Sequence, residues 1–392
     1  MNTYLNRLAA LHQQQSRLII GLMSGTSLDG LDIGLCRISG SGEHTKVELL
    51  HFETLDYTNE YRDDIRSVFS RKLVDLEKLT LLNAKTGAMH GDMVNSFLKK
   101  HSVSNTRIGA IASHGQTIYH APKSFHKLAD YPNATLQIGD ADHIAVRTGI
   151  ITLSDFRQKH IAAGGEGAPL ALYGDYILFS SADENRVLLN IGGISNFTFL
   201  PRKGTQPAIV CSDAGPGNTL IDLICKTRLN TNYDLNGDIA RSGKRDSKLL
   251  SRMLSHPFLE EEIPKTTGPE LFNSGFIEQA LADAGIDNIP TKDLLNTLTH
   301  FTAEAVALTL ERIGQKDLSI YVSGGGASNT YLMDVLAEKL PLSRVNNLEK
   351  LGVNADAKEA ILFAILANET ICGSALQTSA GPAVMMGKIS LP

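Results

Sequence analysis

The chain is 392 residues long, 42% hydrophobic and 20% charged, with a formal net charge of −5. That acidic balance argues against a nucleic-acid or anionic-membrane partner, and no apolar run approaches the ~20 residues of a membrane span. The length is enough for two lobes, and Cys36, Cys211, Cys225 and Cys372, with no CxxC spacing, read as buried thiols of a reducing compartment, the cytoplasm.

Residues 1–16, with Gln13, Gln14 and Gln15, read as a polar helical extension. Arg17 to Met23 is an apolar strand, Ser24 to Gly30 carries turn chemistry, and Leu31 to Ile38 alternates at period two. The three predict a β-hairpin whose tip offers backbone N–H groups and the Ser24, Thr26 and Ser27 hydroxyls. Helices follow at about 58–71 and 75–100, then a strand near 107–113 ending in Ser113-His114-Gly115-Gln116-Thr117. Leu136-Gln137-Ile138-Gly139 precedes a helix near 140–148. Gly149 to Arg157 reads as strand into loop, followed by the glycine-rich IAAGGEGAPL of 161–170.

Arg186 to Leu200 repeats the grammar of residue 17 onward: arginine, apolar strand, a turn with Gly192 and Gly193, and a second alternating strand. Ala208 to Asp213 is a third strand, running into Ala214-Gly215-Pro216-Gly217-Asn218. Asn218 is the expected N-cap of a helix with Leu220, Ile221, Leu223 and Ile224 on one face. Leu318 to Ser323 leads into Gly324, Gly325 and Gly326, and Asn329 caps a helix to about 340. Glu359 opens a further helix, and Met386 to Ser390 returns as a strand to the first lobe. The expected fold is α/β, with a mixed sheet flanked by helices in each lobe. The first lobe is 1–148 plus 377–392 and the second 149–376.

The first hairpin tip, GLMSGTSLDGLDIGL at 21–35, fits neither GxxxxGK[ST] nor GxGxxG. One glycine turn between strands is ordinarily a turn needing φ > 0 and no more. Several in one chain, two of them running into helices, describe anion sites, because helix N-termini present unpartnered N–H groups. Without a Walker lysine, amides, hydroxyls and Mg²⁺ must meet the phosphate charge. Asp213 is the candidate acid, set at a strand end to project over the next helix; an Asp bonding its own turn is the equal alternative. Glu359 reads first as a carboxylate meeting a helix dipole, and His114 first as a satisfied interior histidine. Asp234-Leu-Asn-Gly-Asp238 has its glycine at the fourth position, not the sixth of a calcium loop. HExxH, GxSxG and zinc spacings are absent.

MSGTSLDGLD, ASHGQT, DFR with AAGGEGAPL, LNIGGISN, DAGPGN, KTTGPELFN, SGGGASN and DAKEA resemble, in that order across residues 17–392, the anhydro-N-acetylmuramic acid kinase family. The resemblance implies the two-lobed, ribonuclease H-like fold of actin, hexokinase and the heat-shock ATPases, with ATP in a central cleft. It implies ATP and Mg²⁺ as cofactors, a small amino sugar as substrate, and a cytoplasmic place in peptidoglycan recycling; the protein partner considered is a second copy in a homodimer. Gly25, Thr26, Ser27, Leu28, Asp29, Gly30, Leu31 and Asp32 would then form the first phosphate loop. Gly192, Gly193, Gly215, Gly217 and Asn218 would form the second, while Gly324, Gly325, Gly326 and Asn329 would contact the nucleoside. Asp213 matches the family's general base and Glu359 its second carboxylate. His114, Gln116, Arg157 and Gly165 fall to the sugar. Mg²⁺ would be held through phosphates and water, with Asp29 and Asp32 as candidate carboxylates. The family opens a 1,6-anhydro ring with water while phosphorylating O6 from ATP. His160 and Glu166 stand where the family usually has an acid and a glutamine. The rival readings are another small-molecule kinase of this fold and a nucleotide-switched binding module. A glycosidase using Asp213 and Glu359 would turn over without ATP.

Overall fold

Apolar side chains on both faces make SRLIIGLMS a central strand, β1 (Ser16–Ser24). In this computed structural model, which describes residues 3–168, 170–205, 209–352, 356–375 and 382–392, β2 (Gly30–Ser39) folds back antiparallel on β1, with Ser24 facing Leu31. β3 (Lys46–Asp56) continues antiparallel beyond β2. On the other side of β1 lies the parallel β4 (Ala110–Ala121), with β5 (Ala134–Ile138) antiparallel along its outer half. β6 (Thr152–Ser154) runs parallel to β4, and the C-terminal strand Lys388–Ser390 pairs antiparallel with β6. The order β3–β2–β1–β4–β6, with only β2 reversed among these five, is that of a ribonuclease H-like sheet.

Helices α1 (Thr3–Gln13), α2 (Asn59–Val68), α3 (Leu76–Lys100), α4 (Ala141–Thr148) and α5 (Phe156–Ala162) belong to this sheet's unit. Thr58, Asp75 and Asp140 cap α2, α3 and α4 by accepting backbone N–H bonds. Tyr61, Ile65, Val94 and Phe97 pack with Ile20, Leu22, Ile33 and Leu35 in one core. The returning helix Lys358–Cys372 lies so close to β1 that a Cβ on Gly21 would sit 1.8 Å from the Ala360 carbonyl oxygen. Only glycine permits that approach.

The second unit repeats the topology. β7 (Arg186–Ile191), β8 (Ile194–Leu200), β9 (Val210–Pro216), β10 (Ser319–Ser323) and β11 (Arg344–Asn347) assemble in the order β9–β8–β7–β10–β11, with β8 reversed. Helices α6 (Thr219–Ile224), α7 (Thr291–Glu311) and α8 (Thr330–Lys339) flank it. Val187, Leu189, Ile191, Phe197 and Phe199 share a core with Val306, Leu310 and Leu336.

Several expectations change. The two units are residues 1–178 with 356–392, and residues 179–355, not a division at 148/149 and 376/377. Hydrogen bonding of β6 to β4 and seating of the returning helix on β1 hold both segments in the first unit, so Glu359 belongs there. The boundary at 376/377, Pro169 of the glycine-rich run and Ala208 lie outside the described residues. β4 does not stop at Ser113 but runs through His114-Gly115-Gln116, with an irregularity where Gly115 takes φ +75°. No sequence pattern marks β3, α5, α7 or β11.

Candidate functional site

The hairpin tip of the first unit leaves Thr26, Ser27 and Asp29 exposed, Gly25 and Asp32 half-buried, and Leu28, Gly30 and Leu31 buried. The left-handed residue is Leu28, at φ +62°, not Gly25, whose Cβ would meet nothing nearer than Ser27 Oγ at 3.6 Å. Buried Leu28 anchors the loop from within, a contact worth the unusual dihedral. Arg62 of α2 grips the tip, Nε donating to the Leu28 carbonyl at 2.9 Å and Nη2 to that of Asp29 at 2.8 Å. Asp32 accepts from Thr54 Oγ1 at 2.6 Å; burial, and then Asp356 and Asp29, raise its pKa against that bond. Among the described residues no three His, Cys, Asp or Glu side chains are grouped to hold a metal ion.

Glu359 stands in the first turn of the returning helix, open to solvent at its surface while the surrounding protein desolvates it. That desolvation, then the charge of Asp32, raises its pKa, with Lys358 and Arg157 opposing. Arg157 Nε donates to His114 Nε2 at 3.0 Å and Nη1 to the Gly167 carbonyl at 2.8 Å. An arginine donates only, so His114 carries its proton on Nδ1. Burial first, then Arg157, depress His114 to about 3. It orients Arg157 and is no base at neutral pH. Gln116 is fully buried, accepting from Ser24 Oγ at 2.5 Å. The glycine-rich segment is tied down rather than loose: His160 Nδ1 accepts from Gly167 N at 2.9 Å, and Asn133 donates to the Gly165 carbonyl at 3.1 Å. A Cβ on Gly165 would lie 2.2 Å from the His160 ring.

In the second unit the three glycine motifs converge. Gly217 N and Asn218 N donate to the carbonyls of Gly193 and Gly192, both at 2.8 Å, and Thr219 N donates to Gly193 at 3.2 Å. These amides are therefore spent on joining the loops, contrary to the expectation of a free helix N-terminus. A Cβ on Gly217 would lie 2.3 Å from the Gly192 oxygen, and one on Gly326 2.3 Å from the Ile191 side chain. Gly215 and Gly324 take φ +142° and +80°. Asn218 holds the N-cap position without a side-chain cap bond; its Nδ2 donates to the Ile191 carbonyl at 3.3 Å. Asn329 does cap α8, accepting from Leu332 N at 3.0 Å. Asn218, Asp222, Tyr233, Asn236, Gly325, Ser328 and Asn329 line a cavity of about 380 Å³, within the range of small-molecule sites.

Asp213 lies inside β9 rather than at its end, opposite Asn196. Its Oδ2 accepts from Thr267 N at 2.8 Å, so the carboxylate turns toward the KTTG segment and not over α6. Burial raises its pKa, with Glu270 adding and the Thr267 bond opposing. No sequence pattern marks Arg62 or Tyr233, and Thr267 is marked only as part of KTTGPELFN.

Two ribonuclease H-like units, each with glycine loops at strand ends, place the protein in the two-unit actin-like fold class, which kinases share with nucleotide-switched binding modules. A family model described as anhydro-N-acetylmuramic acid kinase matches residues 17–389. Proteins of that name from Pseudoalteromonas atlantica and Pseudoalteromonas translucida are 48% and 49% identical over 402 and 400 residues, covering 100% of this chain and 100% and 99% of theirs. One from Caldanaerobacter subterraneus subsp. tengcongensis is 40% identical over 396 residues, covering 99% of this chain and 100% of its own. The chain belongs to the anhydro-N-acetylmuramic acid kinase family.

Proposed function

We propose that this kinase opens the 1,6-anhydro ring of 1,6-anhydro-N-acetylmuramic acid with water and phosphorylates O6 from ATP, giving N-acetylmuramic acid 6-phosphate and ADP in cell-wall recycling. The observation that carries the mechanism is Asp213, a half-buried carboxylate with one oxygen fixed by Thr267 N–H. Asp213 takes a proton from water as that oxygen bonds to C1. The C1–O6 bond breaks with its electron pair going to O6, and O6 attacks the γ-phosphorus. The bond from phosphorus to the bridging oxygen breaks, leaving ADP, and Asp213 later releases its proton to solvent. A raised pKa suits a base that must accept a proton near neutrality.

Gly25 to Asp32 of the first unit, and the joined glycine loops of the second, serve the phosphates in this reading. The cavity beside Asn218, Gly325 and Asn329 takes the nucleoside. Glu359 and Arg157 position the sugar, with His114 and Gly165 shaping their surroundings. The carboxylates of Asp29 and Asp32 suit a Mg²⁺ that keeps its water and phosphate ligands; the ion neutralises phosphate charge when bound. Such chemistry belongs in the cytoplasm, where ATP is. Turnover in H₂¹⁸O tests the reading by mass spectrometry: the label enters the product at C1, and none forms without ATP. Label at the phosphate, or ring opening without ATP, refutes it.

A further inference from the structure

Beneath the first hairpin tip runs a chain of buried polar groups that the reaction above does not use. Tyr57 OH donates to Ser24 Oγ at 2.7 Å, and Ser24 Oγ donates to Gln116 Oε1 at 2.5 Å. Gln116 Nε2 in turn donates to the carbonyl of Gly25 at 3.4 Å. At the far end Tyr57 OH meets His90 Nε2 of α3 at 2.9 Å. A tyrosine has one proton, already given to Ser24, so His90 Nε2–H is the donor in that pair. The hydrogens from His90 to Gln116 run in one direction, and the Gln116 amide then divides between the Gly25 carbonyl and that of Thr117, at 3.3 Å. Ser24, Tyr57, His90 and Gln116 are each at least 97% buried.

Networks of this kind are stiff when their members are paired; here the buried His90 Nδ1 is the member atom left without a partner. Core polar groups that merely find partners need not reach the backbone of an exposed loop, as these do at Gly25. Arg62 holds the opposite side of the same loop through the Leu28 and Asp29 carbonyls. Gly25 is thus held from below and Leu28 and Asp29 from the side, while Thr26 and Ser27 between them stay exposed.

The geometry points to His90, Tyr57, Ser24 and Gln116 as a positioning relay that, with Arg62, holds the phosphate loop in its nucleotide-binding shape. None of the five touches the nucleotide in this scheme, which rests on the reading of Gly25 to Asp32 as a phosphate loop. Preorganisation of that kind lowers the entropy lost on binding.

The test compares full-length Tyr57→Phe, Arg62→Met and Gly25→Val, each at matched folded fraction, by affinity for an ATP analogue and by KM for ATP and for sugar. Tyr57→Phe and Arg62→Met are each expected to weaken nucleotide about five- to tenfold and leave the sugar KM unchanged, as losing one or two hydrogen bonds predicts. A merely structural role lowers the melting temperature and moves both KM values together or neither. Ser24→Ala added to Tyr57→Phe should cost little more than either alone, because one relay is already cut. Unchanged nucleotide affinity in folded Tyr57→Phe and Arg62→Met, with affinity lost in Gly25→Val, overturns the relay and spares the loop. Unchanged affinity in Gly25→Val overturns the loop reading and the relay with it.

Discussion

His90 and His114 lie buried and neutral, their pKa values pushed down to about 4 and about 3, since burial penalises the imidazolium ion. His90 faces Tyr57, and His114 faces Arg157, whose charge reinforces the shift. In the unfolded chain both accept protons below about pH 6.5, so there the unfolded state holds more protons than the folded one. Stability is complete above that pH and falls as pH drops toward 4 and then 3. His90 alone accounts for a loss on the order of 3 kcal/mol. Denaturant midpoints measured from pH 7 to 4 should drop across that window, and His90→Gln should about halve the slope, His114 supplying the rest; a flat wild-type profile contradicts the assignment. Burial favours the neutral form of Asp213 too, but for a carboxyl that is the protonated form, so its pKa rises. Asp213→Asn therefore keeps the fold and the Thr267 bond but loses proton acceptance. Steady-state kcat should drop ~10²–10⁴-fold, with the melting temperature held or raised.

Between the strands, the glycines separate into those that space demands and those that it does not. Gly217→Ala forces a Cβ to within 2.3 Å of the Gly192 oxygen and should cost about 1–3 kcal/mol in chemical denaturation. An alanine at Gly25, in open space, should cost far less, and equal losses would argue against the packed junction. This distinction was invisible in the sequence, where both positions are glycine in a serine-rich or proline-containing turn. What could be read was periodic: the β1–β2 hairpin and its echo in β7–β8 follow from alternation around a turn. β3 escaped because KVELLHFETLD keeps most of its residues half-buried or exposed and so lacks a clear apolar face. β4 looks shorter in the sequence than it is, because Gly115 has the look of a stop and acts as an irregularity inside a continuing strand. Asp213 stands out in the sequence as an acid near glycines, but its neighbour, Thr267, comes 54 residues later. The relay draws on β1, α3, β4 and the turn after β3, a juxtaposition no local pattern contains.

On the scale of the molecule, the first unit is made from the two ends of the chain. Its short β6 gains its second partner only from Lys388–Ser390. Deleting residues 387–392 should speed amide exchange at 152–154 and lower the melting temperature, while exchange in β7 to β10 stays unchanged. Equal loss of protection in both units would show that the tail serves something other than β6. The discontinuity also sets a timetable during synthesis. When Leu178 leaves the ribosome, the face of β1 that will receive Ala360 has no helix to cover it, and Arg17 and Gly40 lack their Asn368 partner. Residues 179–355 must be translated before that helix exists, which at common elongation rates is roughly 10–35 s. For that interval the newborn protein carries an open apolar sheet, while the second unit, whose segment is continuous, can close first. Nascent chains arrested near residue 355 should therefore bind holdase chaperones, and chains released after residue 392 should not.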